Sequence, residues 1–190
     1  QHSARLEEVE GIGSKRRREI KASWEKHKSV REIMLFLHRH GVGTARAVRI
    51  HKTYGEEAIP KITENPYRLA EDVWGIGFRT ADEIAARLGV EKDAPTRLRA
   101  GVQHVLMQAT DDGHCALPME TLVADASRIL GSDDAPVAVD KVILAINALL
   151  AEAQLFSETV GGTALVFLPH LHTAEQKIAT RLRAMAAQRA

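Results

Sequence analysis

Apolar side chains recur at helical spacing along residues 14–90, and short glycine turns interrupt the pattern. One apolar stretch precedes the turn at Gly41, and another follows the turn at Gly77. The first comprises Ile33, Met34, Phe36 and Leu37, and the second Phe78, Ala81, Ile84, Ala85 and Leu88. Spacings of three and four place such residues on one face of an α-helix. The pattern therefore predicts helices joined by tight turns, with Gly89 as a C-cap.

The segment between Gly43 and Gly55 predicts a further helix that mixes apolar and basic residues. Its buried side is expected to comprise Ala45, Val48 and the region of Tyr54, and its exposed side Arg46, Arg49 and Lys52. A short apolar run, Ala58, Ile59 and Ile62, predicts another helix before Asn65-Pro66.

Residues 95–170 follow a different pattern. The first predicted elements are a helix with the apolar stripe Leu98, Val102, Val105, Leu106 and Ala109, and a short strand over 114–117. A helix from Pro118 to Gly131 follows, and then a third helix that is N-capped by Asp134 and has Pro136 near its start. Last come strands Leu155–Val160 and Thr163–Leu168 around Gly161-Gly162. Helix, strand, helix, helix and hairpin is the order of a winged helix. The sequence thus predicts a second, α+β unit.

A capping-box pattern at Thr173 and Gln176 predicts a last helix without a stop signal at its end. The expected division is 1–92 for the glycine-turn repeats, 95–170 for the winged-helix-like unit and 173–190 for the last helix. A polar connector at 91–95 separates the first two.

Composition narrows the class of protein. The 190 residues are 45% hydrophobic and 27% charged but only 4% aromatic, which favours helix packing over a β-sandwich. No apolar run approaches the roughly 20 residues of a membrane span, and no apolar signal core opens the chain. The single cysteine, Cys115, excludes an internal disulfide framework and fits a reducing compartment. We expect a cytoplasmic protein with no membrane partner.

Catalytic and metal signatures are missing from the sequence. It contains no GxxxxGK[ST] phosphate loop, GxSxG elbow or HExxH pair. His38-Arg39-His40, His114-Cys115 and His170-Leu171-His172 lack the paired spacing of a structural zinc site. We therefore expect no catalytic residue, no metal and no cofactor in this chain.

Charge is distributed unevenly along the chain. Residues 1–55 hold 13 Lys and Arg against 6 Asp and Glu, a net charge of +7, whereas 56–100 carry −2 and 101–190 carry −4. A basic first quarter on an acidic remainder is typical of a localised polyanion-binding face. The alternative is a solvated, charged helix.

A Gly-aliphatic-Gly motif occurs three times, each time just before a helical pattern. We name Gly11-Ile12-Gly13 the first hairpin, Gly41-Val42-Gly43 the second and Gly75-Ile76-Gly77 the third. Glycines permit positive φ and close approach, the aliphatic residue anchors the turn, and the unpaired amides of the next helix form an anion site. The motif thus predicts phosphate binding that reads no bases. The alternative is three structural corners between helices.

Neighbouring charges refine this prediction. Lys15, Arg16, Arg46 and Arg79 would reinforce phosphate contacts. Glu71, Asp72, Asp82 and Glu83 surround the third hairpin and would repel phosphate, so that hairpin could instead pack or bind protein. Trp24 and Trp74 could stack on unpaired bases, but their positions favour core packing.

The winged-helix-like unit offers few cations. Its third helix has Lys141 and Asn147 as outward donors beside Asp140, and 154–168 contain Glu158 but no Lys or Arg. Without cations the counterion-release contribution to DNA affinity is lost. The sequence therefore favours packing or partner docking for this unit over DNA binding.

The string from Glu64-Asn65-Pro66-Tyr67-Arg68-Leu69 to Trp74-Gly75-Ile76-Gly77-Phe78-Arg79-Thr80-Ala81-Asp82 resembles the non-motor N-terminal region of RecD-like helicases. These superfamily-1 motors are related to the exodeoxyribonuclease V alpha subunit and to TraA relaxase-helicases. Segments 36–55 and 113–118 are similar to the same region. The fold class this implies is mostly α, with tandem helix-hairpin-helix repeats followed by a small winged-helix-like unit.

The resemblance implies an accessory part of an ATP-dependent helicase that moves 5′ to 3′ and serves DNA repair or recombination. ATP and magnesium would belong to motor domains absent from this chain. The implied partners are DNA, as a single strand or a junction, and the protein's own motor domains. Residues carried over as DNA-binding are Gly11, Ile12, Gly13, Lys15, Arg16, Gly41, Val42, Gly43, Thr44, Arg46, Gly75, Ile76, Gly77, Arg79 and Thr80.

Two other functions compete with this one. A protein-interaction scaffold would use the basic segment against an acidic partner or the motor domains. A nuclease or glycosylase with helix-hairpin-helix units would need a metal or nucleophile constellation, which the sequence lacks.

Overall fold

The computed structural model describes residues 13–131 and 135–187; in the first helix the side chains of residues 22, 24–27 and 29 lie outside that description. The chain divides into two units, Gln1–Gly89 and Val90–Ala190, called here unit 1 and unit 2. The predicted fold class, mostly helical with a small β unit, is confirmed.

Unit 1 is helical throughout its described part. Its α-helices are α1 (Ser14–Arg39), α2 (Thr44–Tyr54), α3 (Ala58–Glu64), α4 (Arg68–Asp72) and α5 (Phe78–Arg87), with a 3₁₀ turn at Gly55–Glu57. The stretches predicted after Gly13 and before Gly41 form one helix of 26 residues. Among its described side chains, Ile33 is the first that is buried.

Helix α1 ends in a Schellman motif that the sequence encodes locally. The Gly41 N–H donates to the His38 carbonyl at 3.0 Å, and the Val42 N–H donates to the Leu37 carbonyl at 2.9 Å. Gly41 takes φ +75°, and Val42 and Leu37 are both buried, as is common for this motif. Gly89, at φ +85°, follows α5 as predicted.

The core of unit 1 combines the helices with the apolar residue of each described turn. It comprises Ile33, Leu37, Val42, Ala47, Ile50, Tyr54, Ala58, Ile62, Tyr67, Leu69, Val73, Ile76, Phe78, Ala81, Ile84 and Ala85. The prediction for α2 is wrong: Ala45 and Val48 are exposed, and Ala47 and Ile50 are buried with Tyr54. Helix α2 packs against α1 and α3, and this packing selects the buried face.

Unit 2 packs helices against a small sheet. Its elements are α6 (Pro95–Asp111), β1 (Ala116–Pro118), α7 (Met119–Leu130), α8 (Val139–Ala151), β2 (Phe156–Val160), β3 (Thr163–Phe167) and α9 (Pro169–Ala187). The antiparallel sheet has the order β1-β3-β2. Gly161 and Gly162 both take positive φ, which confirms the predicted two-residue hairpin. The close approach of α6 to α7 depends on Gly101, where a Cβ would overlap Leu130.

Two helix starts in unit 2 differ from the prediction. Helix α8 begins at Val139, so Pro136 lies outside it, and Asp134 lies outside the described residues. Helix α9 begins at Pro169, so the capping-box assignment is wrong and the Thr173 hydroxyl donates to the Pro169 carbonyl inside the helix. Proline is favoured in the first helical turn because a backbone N–H at that position would have no partner within the helix.

Candidate nucleic-acid interface

The second and third hairpins have two features in common. Their first glycines, Gly41 and Gly75, take φ +75° and +78°. Val42 and Ile76, between the glycines, are 2% and 3% exposed. The two turns thus share a left-handed first glycine and an aliphatic residue that anchors each of them in the core.

The second glycine of each hairpin has another role. Gly43 and Gly77 are the N-caps of α2 and α5, with extended backbone that any residue adopts. A Cβ at either position would meet open space. Of each pair, only the first glycine is thus needed for positive φ, and the second leaves the start of the helix uncovered.

These helix starts present backbone donors. The first hydrogen bonds within α2 run from the Arg46 and Ala47 amides to the Gly43 carbonyl, so Thr44 and Ala45 precede them. In α5 the Ala81 amide donates to Gly77, so the amides before it lie outside the helical ladder. Glycine supplies no capping side chain, and neither first turn contains Asp or Glu. Both ends fit an anion, because unpaired N–H groups and the helix dipole attract negative charge.

The first hairpin is described only from Gly13 onward; Gly11 and Ile12 lie outside the described residues. Gly13 caps α1 with φ −84° and ψ 176°, close to the conformation of Gly77. Lys15 and Arg16 are exposed in the first turn of α1. The one described residue of this hairpin thus caps its helix as Gly43 and Gly77 do.

Two arginines join the second and third hairpins. From α5, Arg87 Nη1 donates to the carbonyl of His40, just before Gly41, at 2.8 Å. From α2, Arg49 Nη1 donates to the carbonyl of Trp74, just before Gly75, at 3.0 Å. Each guanidinium occupies the place of the missing Cβ of the glycine. The helix after each turn thus fixes the other turn and adds a cation beside it.

Sequence reasoning did not identify this reciprocal pair. Arg49 was expected only as an exposed residue, and Arg87 was not singled out. Their partners are 25 and 47 residues away in sequence, so periodicity carries no signal for them. The predicted cations Arg46 and Arg79 are exposed, and Thr80 is half-buried.

Half of the acidic residues around the third hairpin are engaged by tyrosines. The Tyr54 hydroxyl donates to Asp72 Oδ2 at 2.8 Å, and the Tyr67 hydroxyl donates to Asp82 Oδ1 at 2.7 Å. Burial is the largest cause that raises the pKa of Tyr54, and the hydrogen bond to Asp72 is the second. These carboxylates hold α4 and α5 in place, which gives them a structural role in addition to their charge.

Glu71 is the acidic residue whose proton affinity this environment changes most clearly. Desolvation raises the pKa of its carboxyl, the neighbouring Asp72 charge adds to the rise, and Arg68 opposes it. Glu71 and Glu83 are both exposed. Both therefore add exposed negative charge beside this hairpin.

Trp74 contradicts the expectation of core packing. Its side chain is 87% exposed, and the Arg49 guanidinium carbon lies 5.8 Å from the centroid of its ring. The other tryptophan, Trp24, has a side chain outside the described part of the chain.

Unit 2 shows less cationic character than its element order would suggest for a DNA-binding unit. Lys141 Nζ bonds the Asp93 carboxylate, which lowers the pKa of Asp93. Glu158 accepts hydrogen bonds from His172 and Gln176. Apolar side chains of α8 are exposed instead, with Val139 at 50% and Leu144 at 68%.

The described residues form neither a metal site nor a membrane-spanning helix. Over residues 13–131 and 135–187, no group of three or more His, Cys, Asp and Glu side chains is placed to hold a metal ion. In the same ranges, no helix combines the length and apolar character of a membrane span.

Paired glycine turns, each anchored in the core and opening a helix with uncapped amides, define a helix-hairpin-helix protein. Residues 26–116 match the family of the ATP-dependent RecD2 DNA helicase HHH domain. The chain is also 29% identical over 186 residues to the ATP-dependent RecD2 DNA helicase of Deinococcus radiodurans, covering 95% of this chain and 26% of that protein. These matches confirm the resemblance to the N-terminal region of RecD-like helicases. The chain spans about a quarter of the length of this relative.

Proposed function

We propose that unit 1 binds DNA through its phosphates, without regard to base sequence, as an accessory region of a RecD-like helicase. The observation that carries this proposal is the repetition of one arrangement: in two hairpins, a left-handed glycine and a buried aliphatic residue precede a helix start without a side-chain cap. The match to the helix-hairpin-helix domain of a DNA helicase supports DNA as the polyanion.

The chemistry of the donors supports binding without sequence preference. Backbone amides contact phosphate oxygens, which are alike at every nucleotide. Exposed Lys15, Arg16, Arg46 and Arg79 would add charge-assisted contacts and displace counterions from the DNA. Because this contribution depends on counterion release, affinity should fall steeply as salt rises.

The third hairpin takes part in this proposal. Arg49 stands beside Gly75, and two of its four neighbouring carboxylates are bound by tyrosines. Glu71 and Glu83 are expected to weaken its contact with phosphate relative to the second hairpin.

For unit 2 we propose partner docking by a winged-helix-like fold. Its exposed Val139 and Leu144 suit an apolar partner surface, and Lys141 is paired within the unit. The helicase's own motor domains are the proposed partner. ATP and magnesium would be bound by those domains, and the assembly would work 5′ to 3′ on DNA in the cytoplasm.

The test is charge reversal at the hairpins. Lys15→Glu, Arg16→Glu and Arg46→Glu are compared by fluorescence anisotropy of a labelled single-stranded oligonucleotide at several salt concentrations. Each variant should weaken binding for all sequences alike. Each lost phosphate contact should also reduce the slope of log affinity against log salt by about 0.7.

The matched controls are Lys177→Glu on α9 and Lys141→Glu on α8, which make the same charge change in unit 2. Both should bind as the parent chain does. Loss of binding in Lys141→Glu, with normal binding by the three hairpin variants, would place the site on unit 2. Affinity that does not vary with salt would instead favour a protein-docking scaffold.

A further inference from the structure

Trp74 is the most exposed large hydrophobic side chain in the described part of the chain, at 87%. Burial of an aromatic ring of this size would ordinarily stabilise the fold. The chain nevertheless places it outside the core, directly before Gly75 of the third hairpin. Val73 and Ile76 on either side are buried in the core, whereas the indole of Trp74 is exposed.

The position of Trp74 is fixed from both of its ends. Its carbonyl accepts the hydrogen bond from Arg49 Nη1, and the positive φ of Gly75 determines the direction of the chain after it. The same guanidinium lies near the ring, within the range of a cation–π interaction. Because the backbone is held in this way, mainly the side-chain torsions of the indole remain to be ordered when a ligand stacks on it.

The surroundings of Trp74 suit a ligand with both a flat face and negative charge. Gly77, the N-cap of α5, is three residues further on, which limits the separation along the chain to about 10 Å. Arg79 and Thr80 follow Gly77 by two and three residues in the first turn of α5, which adds about 5 Å. Their amides and the Arg49 cation are thus near enough to contact phosphates of the same stretch of nucleotides. An unpaired nucleotide offers both chemistries.

We propose that Trp74 stacks on an unpaired base and so directs the third hairpin to single-stranded DNA. The inference rests on the proposed function, because phosphate contacts bring the strand to unit 1. Bases within a duplex are already stacked on both faces, whereas an unpaired base can leave its neighbours and cover the indole. Every base has a π-face, so stacking adds strand selectivity without adding sequence preference.

The experiment uses the full 190-residue chain and three DNA probes of equal length: an oligothymidine, the same backbone with abasic sites, and a duplex. The sequence has two tryptophans, so Trp24→Phe leaves Trp74 as the single indole. Titration of this variant with oligothymidine should quench its fluorescence. The abasic strand should bind through its phosphates without quenching.

Trp74→Ala tests the energetic contribution in the otherwise unchanged chain. Anisotropy should show a five- to hundredfold weaker affinity for oligothymidine, about the contribution of one stacked base. The slope against salt and the affinity for the abasic strand and the duplex should not change. Trp74→Phe keeps a stacking face and should retain most of the affinity. Met107→Ala on α6, which removes another exposed apolar side chain, should have no effect.

The outcomes separate the two proposals. If no probe binds to the parent chain at low salt, the phosphate-binding function is wrong. If all probes bind but Trp74→Ala matches the parent chain and no quenching occurs, only the stacking role is wrong. If Trp74→Ala weakens the abasic strand as much as oligothymidine, the indole acts through the shape of the hairpin, and base stacking is likewise overturned.

Discussion

At the level of single residues, the two glycines of a hairpin have separable roles. Gly41 needs positive φ, and the Arg87 guanidinium occupies the place of its Cβ. Gly43 needs neither, since its backbone is extended and the space beside it is open. One glycine therefore serves the fold, and the other keeps the amides of α2 accessible.

This difference predicts opposite effects of two substitutions. Gly41→Ala should destabilise unit 1 by about 1–2 kcal/mol, since a left-handed backbone disfavours a Cβ. Gly43→Ser should stabilise it by a few tenths of a kcal/mol, because serine is the better N-cap. The same serine oxygen would accept the amide hydrogens proposed for phosphate, so Gly43→Ser should weaken DNA binding.

Thermal unfolding and anisotropy measure the two effects independently. Gly77→Ser is the matching change at the third hairpin and shows whether that turn also contacts DNA. A Gly43→Ser variant that is folded and binds with full affinity would rule out the amides of α2 as the phosphate site.

At the level of elements, the short helix α4 carries two acidic residues, Glu71 and Asp72, with different effects on stability. Its Asp72 is tied to α2 through Tyr54, but Glu71 has its pKa raised above 4.5, chiefly by desolvation. A carboxyl of this kind holds its proton more tightly in the folded state than in the unfolded state. The free energy of unfolding therefore falls as the pH rises from 4.5 through the raised pKa.

Glu71→Gln removes that dependence. At pH 7 the variant should be more stable than the parent chain by a few tenths of a kcal/mol at most, because Glu71 is exposed and solvent screens its interactions. Near pH 4 the two should be alike. DNA binding at pH 7 should tighten, since a negative charge beside the third hairpin is lost. Unfolding at both pH values and anisotropy at pH 7 test this prediction.

Glu91→Gln, an exposed residue at the start of unit 2, makes the same change of charge away from the hairpins. It should alter neither stability nor binding. An equal gain in affinity from both variants would mean that net charge, and not the neighbourhood of the third hairpin, sets the affinity.

At the level of the whole molecule, charge and chemistry are divided along the chain. The excess of cations lies in residues 1–55, whereas 101–190 are net acidic. The described apolar exposure of α8 and α9 lies in the second of these segments, where Ile178, Leu182 and Met185 are 54–62% exposed. Binding of DNA and docking of protein are thus proposed for different units.

We also predict that these 190 residues do not hydrolyse ATP. No GxxxxGK[ST] loop is present to cradle a triphosphate, so phosphate release from ATP should stay at background with and without single-stranded DNA. ATP turnover that co-purifies with the chain and is abolished by a substitution within it would contradict this expectation.

The sequence by itself determined the features that depend on nearby residues. Helix ends at Gly41 and Gly89, the Gly161-Gly162 hairpin and the element order of unit 2 follow from hydrogen bonds between residues a few positions apart. The tight turns at Gly41-Val42-Gly43 and Gly75-Ile76-Gly77 were predicted for the same reason. The start of α8 was misplaced, since proline and aspartate both allow helix starts at several positions.

Only the tertiary structure decided which faces are covered and which distant groups meet. Helix α2 has two apolar sets at helical spacing, and packing against α1 and α3 buried Ala47 and Ile50 in place of Ala45 and Val48. Both sets satisfy the helical period, so the period cannot choose between them. The bonds from Arg49 and Arg87 and the exposure of Trp74 likewise arise from segments far apart in sequence, which come together only when the core forms.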